Sequence, residues 1–137
     1  MIPTRNRLDL LKPCLDSIKH LTLYKNYDIL IVDNQSDDPA TLAYLASCGH
    51  KVIRVASVTT KFNFSYLMNR AVEAATGEFI LLLNNDTIVR NNIWLSQMVG
   101  YGQMSGVGAV GAKLYFPDET LQHAGIVHGL HSDLAGH

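Results

Sequence analysis

The sequence predicts an α/β fold: a mostly parallel sheet with helices on both faces. Three observations carry this. Short apolar runs alternate with stretches of helical spacing along the whole chain. Those runs are continuous in apolar residues rather than alternating with polar ones, as strands covered on both faces require. Polar clusters follow the ends of the runs, where ligands bind in such sheets. The 137 residues, 47% hydrophobic and 17% charged, suit a single globular domain over residues 1–137. A formal net charge of −1 argues against a general nucleic-acid binder.

The elements follow in order. Ile2-Pro3-Thr4 reads as the end of a buried strand. Leu8, Leu11, Leu15 and Ile18 then recur at helical spacing, with Asp9 as a candidate cap that would place Pro13 in the first turn. Residues 28–32 form a partly β-branched strand that ends in Asp33-Asn34-Gln35-Ser36, a turn sequence. A helix over 39–47 has Pro39 at its favoured first position, and Gly49 ends it. Residues 51–56 predict a third strand. Residues 63–75 predict a helix whose apolar face is Phe64, Leu67, Met68, Ala71, Val72 and Ala75, with Gly77 as its stop. Residues 79–83 are the most apolar strand and run directly into Asn84-Asn85-Asp86. A helix over 92–101 and a strand over 107–116 follow. Gly106, Gly108 and Gly111 are read as close-packing positions. Pro117-Asp118-Glu119 is a turn leading to a short hairpin arm.

No apolar run approaches the roughly 18 residues that span a bilayer, and no h-region of a secretory signal is visible. Cys14 and Cys48 are read as buried free thiols suited to a reducing compartment. His123, His128, His131 and His137 do not have a zinc spacing. There is no G-x-S-x-G, no P-loop lysine motif and no G-x-G-x-x-G.

The strand-end clusters are Thr4-Arg5-Asn6, Asp33 to Ser36, and Asn84-Asn85-Asp86. Asp86 could hold Mg²⁺ or Mn²⁺, which take oxygen ligands and often share one or two carboxylates with a diphosphate. It could equally cap the turn. Asp33 either accepts hydrogen bonds from a base or caps its own turn. Arg5 either lies on a base or phosphate, or is a solvated surface arginine. Asn63 is an N-cap at a helix start that also offers N–H groups to an anion.

Together these segments resemble the family 2 glycosyltransferases of the GT-A fold, the Rossmann-like fold of nucleotide-diphospho-sugar transferases. Residues 2–7 resemble the family's opening strand and first donor loop. Residues 31–38 resemble its V-D-[DN]-x-S-x-D motif. Residues 76–86 resemble the approach to its D-x-D-type metal motif. Residues 107–113, Pro117-Asp118 and Gln122-His123-Ala124-Gly125 resemble a bacterial subgroup that builds O-antigen and other surface polysaccharides, in which rhamnosyltransferase-like members are frequent.

The resemblance implies that Pro3, Thr4 and Arg5 line a nucleoside pocket, that Asp33 meets a pyrimidine, and that Asn63 contacts the donor. It places Asn85 and Asp86 in the metal motif, with Asp86 as the ligand of a divalent cation (Mn²⁺ or Mg²⁺). The triplet is Asn-Asn-Asp, so one protein carboxylate remains and diphosphate oxygens and water must complete the shell. Arg5 stands where many relatives place an aromatic residue. His123 lies where it could approach the donor. The implied reaction is inverting transfer of a sugar from a UDP- or dTDP-sugar to a saccharide or lipid-linked saccharide, in the cytoplasm or at the inner membrane face. The catalytic base of the family lies in a later segment, so the chain is expected to be a donor-binding half, truncated at both ends and inactive alone. Two other readings compete: a nucleotidyltransferase, disfavoured because residues 4–7 contain no glycine, and a non-catalytic nucleotide-binding or assembly module.

Overall fold

The computed structural model of the chain describes residues 1–56, 62–130 and 134–136. They form two compact units, Met1–Trp94 and Leu95–His137.

The first unit is built on three parallel strands in the order β1 (Ile2–Thr4), β2 (Leu30–Asp33) and β3 (Lys51–Arg54). Register places Thr4 opposite Asp33, and Asp33 opposite Arg54, so one row of polar residues closes the carboxyl edge. The middle strand is wholly buried. Its side chains alternate between two cores, as the period of two demands. Ile31 packs with Ile2 and with the stripe Leu11, Cys14, Leu15 and Ile18 of α1 (Leu8–Leu21) and Leu45 of α2 (Pro39–Ser47). Leu30 and Val32 pack with Val55 and with Leu67, Met68 and Ala71 of α3 (Phe64–Val72). Helices therefore cover both faces, as the continuous apolar runs predict.

The division of helices between faces follows from crossover handedness. The steps β1 to β2 and β2 to β3 move the same way across the sheet, and right-handed crossovers then put α1 and α2 on one face. After α3 the chain returns past β1 to its far side. There Met1 N donates to Leu81 O at 2.7 Å and Leu83 N donates to Met1 O at 3.1 Å, the bond pair of parallel strands. A reversed direction with the same handedness puts the helix on the opposite face, and α3 lies there.

Residues 79–83 nonetheless do not form the strand expected of them. The next rung would need an N–H from Pro3, and proline has none. Among the described residues their ladder bonds thus go to Met1, just before β1.

Other elements depart from expectation at their ends. The third strand stops at Arg54 rather than at 56, and α3 spans Phe64–Val72, with Asn63 as its cap and Gly77 well beyond its end. Asp9 does not cap α1. Arg7 is the N-cap, with φ 51 and no side-chain cap bond, and Asp9 lies in the first turn. Pro13 consequently falls in the second turn, where its ring removes the donor for the Asp9 carbonyl. Expectation holds for α2: Asp38 accepts from Thr41 N at 2.8 Å, Pro39 occupies the first turn, and Gly49 has φ 74. Both cysteines are free, but Cys48 is only half-buried.

Helix α4 runs Trp94–Gly102, two residues later than expected at its start, and from Leu95 on belongs to the second unit. The long strand over 107–116 reduces to β4 (Leu114–Tyr115). Nothing lies within 4 Å of a Cβ built on Gly106, Gly108 or Gly111, so these are not close-packing positions. Three glycines in six residues carry a large entropy cost for an ordered strand and have no side chain to offset it. β4 pairs antiparallel with β5 (Leu121–His123) around the expected turn, where Phe116 N donates to Thr120 O at 2.9 Å and Asp118 Oδ1 accepts from Thr120 N and Oγ1. β6 (Val127–Leu130) pairs antiparallel with β7 (Leu134–Gly136). His131 and His137 lie outside the described residues. Among the described residues no helix is long and apolar enough to cross a membrane.

Ile31 is fully buried between β1 and β3. Ile31→Ala is expected to cost about 2–5 kcal/mol, seen in urea unfolding as a lower midpoint at unchanged slope.

Candidate functional site

The carboxyl edge of the first unit is one hydrogen-bonded network that joins all three strand-end clusters. At its centre is Thr4, 4% exposed. Its hydroxyl donates to Asn6 O at 3.1 Å and accepts from Asn85 Nδ2 at 3.2 Å, tying the first cluster to the third. Asn6 N donates to Ser36 Oγ at 2.8 Å, which ties the first to the second. Asn6 and Arg7 both adopt left-handed backbone, with φ 55 and 51, and so does Gln35, with φ 59.

Asp33 is 2% exposed. One carboxylate oxygen accepts from Ser36 N at 2.9 Å, so the residue caps its own turn. The other faces Arg54 Nη1 at 3.4 Å, while Arg54 Nη2 donates to Ser36 O at 2.8 Å. Arg54 is the residue that sequence reasoning missed. No local signal marks it: only the register of the folded strands shows that it closes the third strand in the same row as Thr4 and Asp33.

The Asn84-Asn85-Asp86 turn is held by α1. Cys14 Sγ lies 3.7 Å from Asn84 O and Ser17 Oγ accepts from Val89 N at 3.1 Å, so the turn is fixed on both sides of Asp86. Leu83 and Val89 pack into the same core as α1. Burial is the main cause that pushes the Cys14 thiol up to about 11, with the negative charge of Asp86 a smaller cause in the same direction. Asp86 itself is exposed, and its charge is felt by Arg7, whose ion pair with Asp9 closes at 2.8 Å.

Of the residues singled out from sequence, Pro3, Thr4, Asp33, Asn85 and Asp86 stand together at this edge. Arg5 is exposed between Thr4 and Asn6. Asn63 is not drawn into the network. Its side chain accepts from Tyr66 N at 2.9 Å and caps α3. His123 is half-buried at the end of β5, in the second unit. An open groove of about 360 Å³ lies between the end of β3 and α3, lined by residues including Ile53, Val55, Tyr66 and Arg70, and shares only Arg54 with the network.

A divalent cation fits this edge in one mode. Among the described residues no three His, Cys, Asp or Glu side chains converge, so there is no all-protein cage. An exposed carboxylate on a fixed turn matches the mode in which a hard cation keeps several waters and shares one carboxylate with phosphate oxygens. The strand ends also meet the rule for ligand sites in open sheets. The direction of strand progression reverses between β1 and residues 79–83, the place where that rule puts the ligand.

A model of glycosyl transferase family 2 matches residues 1–127. The chain belongs to that family, and its fold is the GT-A fold. The protein y4gI of Sinorhizobium fredii is 42% identical over 139 residues, and the O-antigen biosynthesis protein RfbC of Myxococcus xanthus is 39% identical over 137 residues. Both alignments take in all of this chain, which spans only 15% and 11% of those two proteins. The structure of the mannosyltransferase PcManGT from Pyrobaculum calidifontis, in complex with GDP-Man and Mn²⁺, superposes with a TM-score of 0.67 at 23% identity, covering 86% of this chain and 35% of that one.

Two outcomes are expected. Arg54→Met leaves the buried Asp33 carboxylate without its cation. Since Arg54 is half exposed and water already screens the pair, the expected loss is about 1–2 kcal/mol in chemical unfolding. Iodoacetamide at pH 8 should alkylate Cys14 at least about 100-fold more slowly in the native chain than in urea, because the buried sulfur is out of the reagent's reach and a thiol moved from 9.0 to about 11 loses about that factor in thiolate.

Proposed function

We propose that this chain is the donor-binding part of a glycosyltransferase that takes a nucleotide-diphosphate sugar together with Mn²⁺ or Mg²⁺ and serves transfer of the sugar to a saccharide hydroxyl in cell-surface polysaccharide synthesis. The observation that carries the reading is the joining of Thr4, Asp33 and the Asn85-Asp86 turn at the point where the sheet reverses direction. Family membership supports the reaction class, and the printed role of RfbC supports the polysaccharide context.

Each group has a role in this reading. Pro3, Thr4 and Arg5 border the nucleoside. The Arg5 guanidinium is exposed and planar, suited to stacking on a base or pairing with phosphate. Asp33 meets a pyrimidine base through its acceptor oxygens, in a UDP- or dTDP-sugar, and Arg54 holds it as it does so. Asn63 presents the N-terminal N–H groups of α3 toward the donor. Asn85 orients the turn and Asp86 holds the cation. When bound, the cation would neutralise charge that develops on the departing diphosphate. We assign the transfer an inverting course, with a carboxylate from a later segment of the family as base, and a cytoplasmic setting, to which two free thiols are suited.

Thermal unfolding of the chain with UDP, dTDP or GDP, each with and without Mn²⁺, tests this reading. A ligand at about 100 times its Kd adds roughly 2.7 kcal/mol, which at this chain length raises Tm by several degrees, about 2–8 °C per kcal/mol. The expected result is a metal-dependent rise with a pyrimidine diphosphate that disappears in Asp86→Ala. A rise of equal size in Asp86→Ala would refute the metal assignment.

A further inference from the structure

Asn6 has no role of its own in the donor reading above, yet its side chain and backbone reach further along the chain than those of the residues that do. Its Oδ1 accepts from the backbone N–H of both Asp37 and Asp38, each at 3.0 Å. Its Nδ2 donates to Asp37 Oδ1 at 2.7 Å. Its backbone N–H donates to Ser36 Oγ and its carbonyl accepts from Thr4 Oγ1. Both ends of the amide are thus spent on a loop some thirty residues away. That loop continues into α2 through Asp38, whose carboxylate takes Thr41 N and Thr41 Oγ1.

The chemistry selects asparagine. The backbone at residue 6 is left-handed, with φ 55, a conformation asparagine adopts more readily than most residues. Aspartate would keep the acceptor but lose the donor toward Asp37. Glycine would keep the backbone and lose the side chain.

We propose that Asn6 is a positioning residue that clamps the first strand-end loop to the second, so that Arg5 and Asp33 stand ready for the nucleoside before it arrives. The inference rests on the donor-site reading. Arg5 is bracketed by Thr4 and Asn6, which hydrogen-bond each other, so the clamp decides where its side chain leaves the backbone. Ser36 takes the Asn6 N–H on its hydroxyl and gives its own N–H to Asp33, so the clamp also fixes the Asp33 turn. Without the clamp a nucleotide must order both loops on binding, and affinity falls by that cost.

The test is a swap. Asn6→Asp sets two carboxylates against each other. Asn6→Asp combined with Asp37→Asn puts one donor back between the two side chains, pointing the other way. Two readouts are taken: amide hydrogen exchange at residues 37 and 38 without ligand, and the Kd for UDP with Mn²⁺ by calorimetry. In Asn6→Asp, repulsion from the Asp37 carboxylate should push the residue 6 side chain off the 37 and 38 N–H groups, so exchange there should quicken and UDP binding should weaken by about tenfold each, the scale of losing a charge-assisted hydrogen bond. Asp37→Asn alone should stay near the wild-type chain, and the double variant should recover both readouts to within about threefold. If Asn6→Asp does not fold, Asn6→Gly replaces it, with the same expected losses.

Faster exchange with unchanged UDP affinity would overturn the positioning role, and so would a double variant as weak as Asn6→Asp. Absence of UDP binding in the wild-type chain would instead fell the donor-site reading and the positioning claim with it, while exchange at 37 and 38 would still show separately whether the clamp holds the loops.

Discussion

Everything at the carboxyl edge depends on β1 having neighbours reached from opposite directions. Strand β2 lies on one side, and residues 79–83 meet Met1 on the other. Where neighbouring parallel segments leave toward opposite faces, open α/β sheets take their ligands beyond the strand ends. The same reversal sends α1 and α2 to one face and α3 to the other, so both cores follow from it. A chain without the reversal would keep its helices on one face and its strand ends packed by successive loops.

The polar residues at this edge are held in place more firmly than loops commonly are. Thr4 both donates and accepts, Asp33 is occupied by Ser36 and Arg54, and the Asp86 turn is fixed on α1 through Cys14 and Ser17. The buried members are satisfied within the protein: among the described residues no buried side-chain nitrogen or oxygen lacks a partner. Arg5 and Asp86 are among the charged groups left exposed, as their proposed roles require. A guanidinium that meets a base or phosphate and a carboxylate that takes a hard cation must both be reachable from solvent.

The fold class was legible because the apolar runs are long enough to signal burial on both faces, and α2 was legible because Pro39 and Gly49 act locally. The failures share a cause, which is dependence on distant partners. Residues 79–83 have the composition of a strand, but whether they form one is decided by the missing N–H of Pro3. The start of α1 is set by bonds from residue 6 to residues 36–38, which displace Asp9 from the cap. At the site, Thr4, Asp33, Asn85 and Asp86 could be found because each follows an apolar run. Arg54 and the clamping role of Asn6 could not, because register between strands and hydrogen bonds across thirty residues leave no local mark.

Paramagnetic NMR would show whether the strand-end network takes a nucleotide and a metal, as proposed. Amide spectra would be recorded for the chain with UDP, first with Mg²⁺ and then with traces of Mn²⁺. Shifts are expected at residues 4–6 and 33–36 on adding UDP and Mg²⁺, with Mn²⁺ broadening centred on residues 84–87. Shifts confined to the groove between β3 and α3, or broadening centred away from Asp86, would contradict that proposal.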